Sequence, residues 1–221
     1  RDLYANDPTI VVPEIYKDLC TEETIVMEYM EGFESMNEFI HNSTVEERNK
    51  IGDKLITFIF ENLYKHGIFY SDVHYGNFLV KDKNILCVLD FGCLHQYTET
   101  ETENLKEIHR TVLYDDKKKL VDVMKKMDVF SNSTMSTTID RFYDKLKVYL
   151  SPFIRDDFVF TNEWVDSEFF MDRDIIADMG LPRGVILLQK IPLNLYHLLS
   201  KLGTTNESIK YINETYIKTK Y

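Results

Sequence analysis

Cysteine, proline and tryptophan are scarce in this chain of 221 residues, which has three, five and one of them. The cysteines are Cys20, Cys87 and Cys93. An odd, scattered set builds no disulfide framework and offers no paired metal-ligand spacing, so a reducing compartment is expected. Positive charge is also short. Lys plus Arg number 26 against 37 Asp plus Glu, a net charge of −11. That argues against nucleic acid as a partner, because neutralising phosphates needs a basic face. No apolar run approaches the roughly 18 residues of a membrane-spanning helix. The start, Arg1-Asp2-Leu3, has no methionine, basic region or apolar core of a leader, and reads as a cut edge with more chain before it. Sequons begin at Asn42, Asn132, Asn206 and Asn213 but are expected by chance in so polar a chain. Internal repeats and low-complexity tracts are missing. What remains is 44% hydrophobic and 29% charged, the composition of a globular protein of one large or two small units.

Residues 10–19 and 23–29 are rich in β-branched and aromatic side chains and predict two strands, separated by a turn at Asp18–Thr21. Pro13 makes the first irregular or an edge. Ser43 and Glu46 have the spacing of a capping box, so a helix is expected from about Thr44 to His66. Its core face is Ile51, Leu55, Phe58, Ile59 and Leu63, and Gly67 closes it. Phe78–Lys81 and Ile85–Leu89 flank Asp82-Lys83-Asn84 and predict a hairpin. From residue 101 the periodicity is helical. Leu105, Ile108, Val112 and Leu113 make one stripe. Ile139, Phe142, Tyr143, Leu146, Tyr149 and Leu150 make another, stopped by Pro152. A long apolar helix is expected from Pro182 to Leu202, kinked at Pro192 and closed by Gly203. The fold class is α+β, dominated by helices.

Chemistry concentrates in Tyr70-Ser71-Asp72-Val73-His74-Tyr75-Gly76-Asn77 and Asp90-Phe91-Gly92. An Asp, an Asn five residues on, and an Asp-Phe-Gly beyond an intervening hairpin reproduce the catalytic centre of kinase-like phosphotransferases. Asp72 would accept a proton from an attacking hydroxyl. Asn77 offers a neutral oxygen and Asp90 an anionic one to the Mg²⁺ that bridges ATP phosphates. Met27-Glu28-Tyr29-Met30 ends a strand where such folds place a hinge. The Glu28 carbonyl and Met30 amide would meet the adenine edge, with the Met27 side chain lining the pocket behind.

These motifs resemble the UbiB/ADCK (aarF-domain) atypical kinase-like family, associated with ubiquinone biosynthesis. The matching segments are Val12-Pro13, Val26-Met27-Glu28-Tyr29, His74-Tyr75-Gly76-Asn77, Leu89-Asp90-Phe91-Gly92 and Leu181-Pro182-Arg183. The resemblance runs from about residue 10 to 203. It implies a protein-kinase-like fold: residues 1–30 form the end of a small lobe and its hinge strand, and 31–221 the large lobe. It makes Asp72 the catalytic-loop carboxylate and Asn77 and Asp90 the metal ligands, with ATP and Mg²⁺ as cofactors. His74 matches the family's loop histidine, a packing residue or a contact to phosphate or substrate. Tyr70, Ser71 and Tyr75 replace the family's His, Ala and Pro. The phosphate-covering loop and the strand lysine of a small lobe are not in this sequence, and Lys17 sits one strand too late to serve.

No Ala-Pro-Glu follows Asp-Phe-Gly, and helical periodicity resumes within about ten residues of Gly92. No peptide-substrate platform is expected, which suits a lipid, small-molecule or ATPase role. A prenyl lipid or membrane surface is a possible partner, and the family suggests mitochondrion, plastid or a bacterial membrane surface. Two other functions compete: a small-molecule kinase of the aminoglycoside or choline type, and an inactive pseudokinase scaffold. Cys87 and Cys93 are expected at or near the core. Lys117-Lys118-Lys119 reads as a solvated helix face. Trp164 with Phe158, Phe160, Phe169 and Phe170 reads as a satellite core, with a membrane-docking surface as the alternative.

Overall fold

Three reciprocal capping boxes set where the first helices begin. The computed structural model describes residues 1–168, 173–180, 188, 190–205 and 207–218, with the side chains at 167, 168 and 192 excepted. Helix α1 (Met36–Asn42) starts at Ser35, whose hydroxyl accepts the Glu38 N–H while Glu38 accepts the Ser35 N–H. Helix α2 (Val45–His66) starts at Thr44 in the same way with Glu47. The Ser43–Glu46 box predicted from the sequence is therefore displaced by one residue. Ser43 instead ends α1, and its carbonyl accepts from Arg48. Thr98 and Glu101 begin α3 (Glu99–Leu113). Each box satisfies helix N–H groups that have no partner within the helix and contributes about 1 kcal/mol.

Helix α2 is the axis of the fold. Ile51, Leu55, Phe58, Ile59 and Leu63 are buried as the periodicity predicts, but so are Ile56, Phe60 and Tyr64 on its other sides. Part of the additional burial comes from the end of the chain, where helices His197–Leu202 and Glu207–Ile212 pack against α2, and part from α3 and Phe153: Phe60 meets the rings of His109 and Phe153, and Tyr64 that of His109. The fit is close at Gly52: a Cβ there would lie 2.0 Å from Thr204 Oγ1. Gly67 closes α2 at φ +66°, a left-handed conformation that favours glycine, and donates to the Leu63 carbonyl.

Four strands form one sheet in the order β1–β5–β4–β2: β1 (Ile10–Val11), β2 (Glu34–Ser35), β4 (Phe78–Lys81) and β5 (Ile85–Val88). The hairpin β4–β5 is present as predicted, with Phe78 opposite Val88 and Lys81 opposite Ile85. Strand β1 runs parallel to β5. A second, two-stranded sheet pairs β3 (Ile68–Tyr70) antiparallel with β6 (Leu94–Gln96).

The pair of strands predicted over 10–19 and 23–29 is mostly irregular. Beyond β1 only one bridge forms, Ile15 with Met27, and residues 17–19 make a 3₁₀ turn. Pro13 lacks a donor, and the Glu14 N–H goes to the Glu28 carboxylate instead of a main-chain carbonyl, so no ladder propagates.

The remainder is helical: α3, α4 (Lys117–Lys126), α5 (Ser136–Tyr149), α6 (Ser151–Ile154), α7 (Asn162–Glu168) and α8 (Arg173–Ala177). Pro152 ends nothing by itself; it sits in the first turn of α6, where its missing N–H costs no bond. The helix predicted from Pro182 lies largely outside the described residues, as do Leu181-Pro182-Arg183, Phe169 and Phe170. Around Pro192 the backbone is π-helical, Ile191–Tyr196, which is the local disruption that proline predicts. Phe158 and Phe160 are buried in the main core and not in a satellite of it, and Trp164 packs against that core, edge-on to Phe158 at 4.6 Å and 5.5 Å from Tyr196. Cys87 is buried, but Cys93 is exposed: β6 begins just after it and the chain there runs along the surface. Lys117 pairs with Asp140 and Lys119 with Glu107, so these two lysines of the triplet tie α4 to α5 and α3.

Candidate active site

Two loops meet beside the hairpin. The first leaves β3 and carries Asp72, His74 and Asn77; the second leaves β5 and carries Asp90, Phe91 and Gly92. They are joined at both ends. The Leu89 N–H donates to the Asn77 carbonyl at 3.0 Å, and both the N–H and hydroxyl of Ser71 donate to the Cys93 carbonyl at 3.1 and 2.9 Å. The hairpin turn between them uses Asp82 and Lys83 at positive φ. The position of Asp90 relative to Asn77 is therefore fixed by main-chain bonds.

Within the first loop, Asn77 is buried at 5% exposure. Its Nδ2 donates to the Asp72 carbonyl at 2.9 Å and to Asp72 Oδ2 at 3.2 Å. The amide nitrogen is thus committed to Asp72, which leaves the Asn77 carbonyl oxygen for a cation. His74 Nδ1 accepts the Gly76 N–H at 3.1 Å, which puts the imidazole proton on Nε2. Nε2 stands 3.6 Å from the same Asp72 Oδ2. Both neighbours address Oδ2, which leaves Oδ1 open among the described residues. His74 is half exposed and faces the Asp72 carboxylate.

In the second loop Asp90 is exposed, and its Oδ1 accepts the Gly92 N–H at 2.7 Å. Phe91 packs edge-on against Tyr70, ring centroids 5.8 Å apart. Tyr70 itself is buried, and burial together with the Asp90 and Asp72 carboxylates holds its phenol well above the usual range, with Asn77 countering in part.

The donor set fits magnesium with a nucleotide and no dedicated metal centre. Among the described residues, no group of three or more His, Cys, Asp or Glu gathers to hold a metal. One carboxylate and one amide oxygen suit a hard, hydrated cation whose remaining ligands are water and phosphate. When bound, the ion would neutralise phosphate charge; Asn77 and Asp90 are the side chains here that would hold it.

A cleft of about 460 Å³ lies between the β1–Lys17 segment, the hinge and the second loop. Val12, Pro13, Ile15, Met27, Leu89 and Phe91 give it apolar walls, and Arg1 and Lys17 reach it. Of the predicted adenine contacts, Met27 lines this cleft; Glu28 and Met30 lie beside it and do not. The Glu28 N–H donates to the Glu14 carbonyl while the Glu28 carboxylate takes the Glu14 N–H. The Glu28 carbonyl therefore has no partner among the described residues. Lys17, Leu89 and Phe91 were not singled out as lining residues. Leu89 and Phe91 flank Asp90 in sequence, a signal that could have found them; Lys17 reaches the cleft only because a 3₁₀ turn replaces the second half of the strand.

After Gly92 the chain enters β6 at once and α3 begins at Glu99. Helical structure thus resumes within about ten residues of Gly92, as the periodicity predicts.

The ABC1 atypical kinase-like domain matches residues 1–124, and the chain belongs to that family of kinase-like proteins. Similar curated proteins include Protein ACTIVITY OF BC1 COMPLEX KINASE 8, chloroplastic, of Arabidopsis thaliana, 27% identical over 146 residues, which are 63% of this chain and 19% of that protein. Atypical kinase COQ8B, mitochondrial, of Danio rerio is 28% identical over 109 residues, 49% of this chain and 17% of that one. The chain thus spans about a fifth of these relatives. In fold it is similar to Rv3197 of Mycobacterium tuberculosis, solved as an erythromycin complex, with TM-score 0.75 and 21% identity over 98% of this chain and 54% of that one. The expected family, UbiB/ADCK, and the kinase-like α+β fold are both correct.

Proposed function

We propose that this chain carries the hinge and the catalytic, metal-binding lobe of an ATP- and Mg²⁺-dependent atypical kinase or ATPase. The observation that carries the proposal is the Asn77 amide bonded to both the main-chain carbonyl and the carboxylate of Asp72, which ties the two polar side chains of the loop together. Asp72 accepts the proton of the attacking hydroxyl. Asn77 and Asp90 hold the ion. Met27 backs the adenine ring, and the Glu28 carbonyl and Met30 N–H read its edge. Positioning and charge stabilisation do most of the work in phosphoryl transfer, so a rigid pair of loops is what the reaction needs.

The acceptor is a lipid or other non-peptide molecule, or water. With Thr98 already capping α3, the chain after Gly92 has no length to dock a peptide. Service to isoprenoid-quinone metabolism at a membrane surface, in a mitochondrion or plastid, is in keeping with relatives named mitochondrial and chloroplastic. No helix among the described residues is long and apolar enough to cross a membrane.

The experiment is ATP turnover by the full-length protein with and without liposomes containing a prenyl quinone. Magnesium-dependent phosphate release, lost in Asp72→Asn and Asp90→Ala, supports the proposal. Nucleotide binding without release in any condition would favour the scaffold instead. Phosphorylation of a soluble alcohol, indifferent to lipid, would favour the small-molecule kinase.

A further inference from the structure

Tyr70 carries a hydroxyl that its own packing does not use. The ring is 2% exposed and sits among Phe58, Phe78 and Phe91, at centroid distances of 5.5, 5.9 and 5.8 Å. A phenylalanine would fill the same space. The hydroxyl is buried and its O–H meets no acceptor among the described residues, an unfavourable arrangement that the apolar isostere would avoid. Its surroundings are nonetheless polar on one side. The Asn77 amide acts as a donor toward the phenol oxygen, the Asp90 and Asp72 carboxylates act on it through space only, and the ring meets Phe91, the neighbour of Asp90, edge-on.

We propose that Tyr70 is a positioning residue: its hydroxyl donates a hydrogen bond to the Asp90 carboxylate when that carboxylate engages nucleotide-bound magnesium. This rests on the phosphotransferase assignment made above. Asp90 is the recipient for two reasons. Asp72 Oδ2 already accepts from Asn77, with His74 Nε2 beside it. Asp90 is exposed, and among the described residues its carboxylate accepts only the local bond from Gly92, so it has freedom to turn. A phenol O–H facing a carboxylate makes a charge-assisted bond, and a donor behind a metal ligand fixes that ligand's orientation. The pairing of Tyr70 with Leu94 and the bond from Ser71 to Cys93 keep the ring in register with the second loop.

The test compares nucleotide affinity with and without Mg²⁺, using a fluorescent ADP analogue and the full-length protein as wild type, Tyr70→Phe, Tyr70→His and Asp90→Asn, plus the Tyr70→Phe/Asp90→Asn double variant. Tyr70→Phe is expected to melt at or above the wild-type temperature. It keeps the magnesium-free affinity and loses about tenfold of the magnesium-dependent affinity. Tyr70→His, which restores a donor, recovers part of that loss. In the Asp90→Asn background Tyr70→Phe adds nothing further. Equal magnesium-dependent affinity in wild type and Tyr70→Phe overturns the inference, as does a loss that is the same with and without the ion. Should Tyr70→Phe melt early, the ratio of the two affinities measured well below its melting point still decides. A wild-type protein that binds no magnesium nucleotide overturns the phosphotransferase assignment itself, a result separable from the others.

Discussion

Asn77 Nδ2 bridges the main-chain carbonyl and the Oδ2 of Asp72, at 2.9 and 3.2 Å, from a buried position at the head of the hairpin. One amide thus locks the backbone of the loop and the rotation of its carboxylate together. Asn77→Ala leaves both oxygens without that donor. It is expected to destabilise the fold by about 1–3 kcal/mol, which for a chain of this size lowers the melting temperature by a few degrees. Magnesium-dependent nucleotide affinity should fall with it. Calorimetry and a nucleotide titration on the same sample check both effects; a variant that melts early yet binds normally would separate Asn77 from the ion.

A distant element also touches this loop. Asn194, in the π-helical turn after Pro192, donates to the Ser71 carbonyl at 3.4 Å, a long hydrogen bond. Asn194→Ala is expected to cost less than about 1 kcal/mol of stability while lowering turnover several-fold with little change in nucleotide affinity. Steady-state kinetics read the split. Unchanged turnover would show that the C-terminal helices support the loop by packing alone.

His109 gives the fold a pH dependence away from the site. Both ring nitrogens face the Tyr64 hydroxyl, at 2.9 and 3.1 Å, and burial, aided by neighbouring Arg110, pushes the imidazole down to about 3. The unfolded chain takes up that proton near pH 6.5 and the folded one does not. Stability is therefore complete above about pH 6.5 and declines as the pH falls below it, with a slope approaching about 1.4 kcal/mol per pH unit. Melting temperatures between pH 7.5 and 5 should show this decline, and His109→Gln should flatten it. An equal slope in the variant would place the responsible proton elsewhere.

Gly52 marks where α2 and the chain's C-terminal region come closest. Gly52→Ala drives a methyl group onto Thr204 Oγ1 and Cγ2, at 2.0 and 2.5 Å, and is expected to cost about 1–3 kcal/mol. Thr204→Ser in the same chain removes one of the clashing atoms and should recover part of it. Chemical denaturation of the single and double variants measures this; additivity of the two changes would contradict the contact.

Local signals made much of the site readable before any coordinates. The hairpin between Asn77 and Asp90, the left-handed Gly67 and the short path from Gly92 to α3 all follow from turn residues and periodicity, which act over a few positions. What escaped was set by distant partners. Strands β3 and β6 are three residues each and carry no alternation of their own; they exist because Ile68–Tyr70 and Leu94–Gln96 meet across the two loops. Ile56, Phe60 and Tyr64 lie off the predicted stripe of α2, and their burial depends on elements distant in the chain, among them His109, Phe153 and the C-terminal helices. The one-residue shift from Ser43 to Thr44 is a choice between two adjacent hydroxyls, each with a glutamate three positions on. The hinge strand failed where a side chain, Glu28, took the bond a main-chain carbonyl would have made.

The most direct test is isothermal titration of ADP into the full-length protein and its Asp90→Ala variant, each with and without Mg²⁺. Nucleotide binding that Mg²⁺ strengthens in the wild type, and that becomes indifferent to the ion in Asp90→Ala without a change in melting temperature, is the predicted result. An Asp90→Ala protein that still binds nucleotide more tightly with Mg²⁺, as well as the wild type does, would contradict the assignment of the metal site.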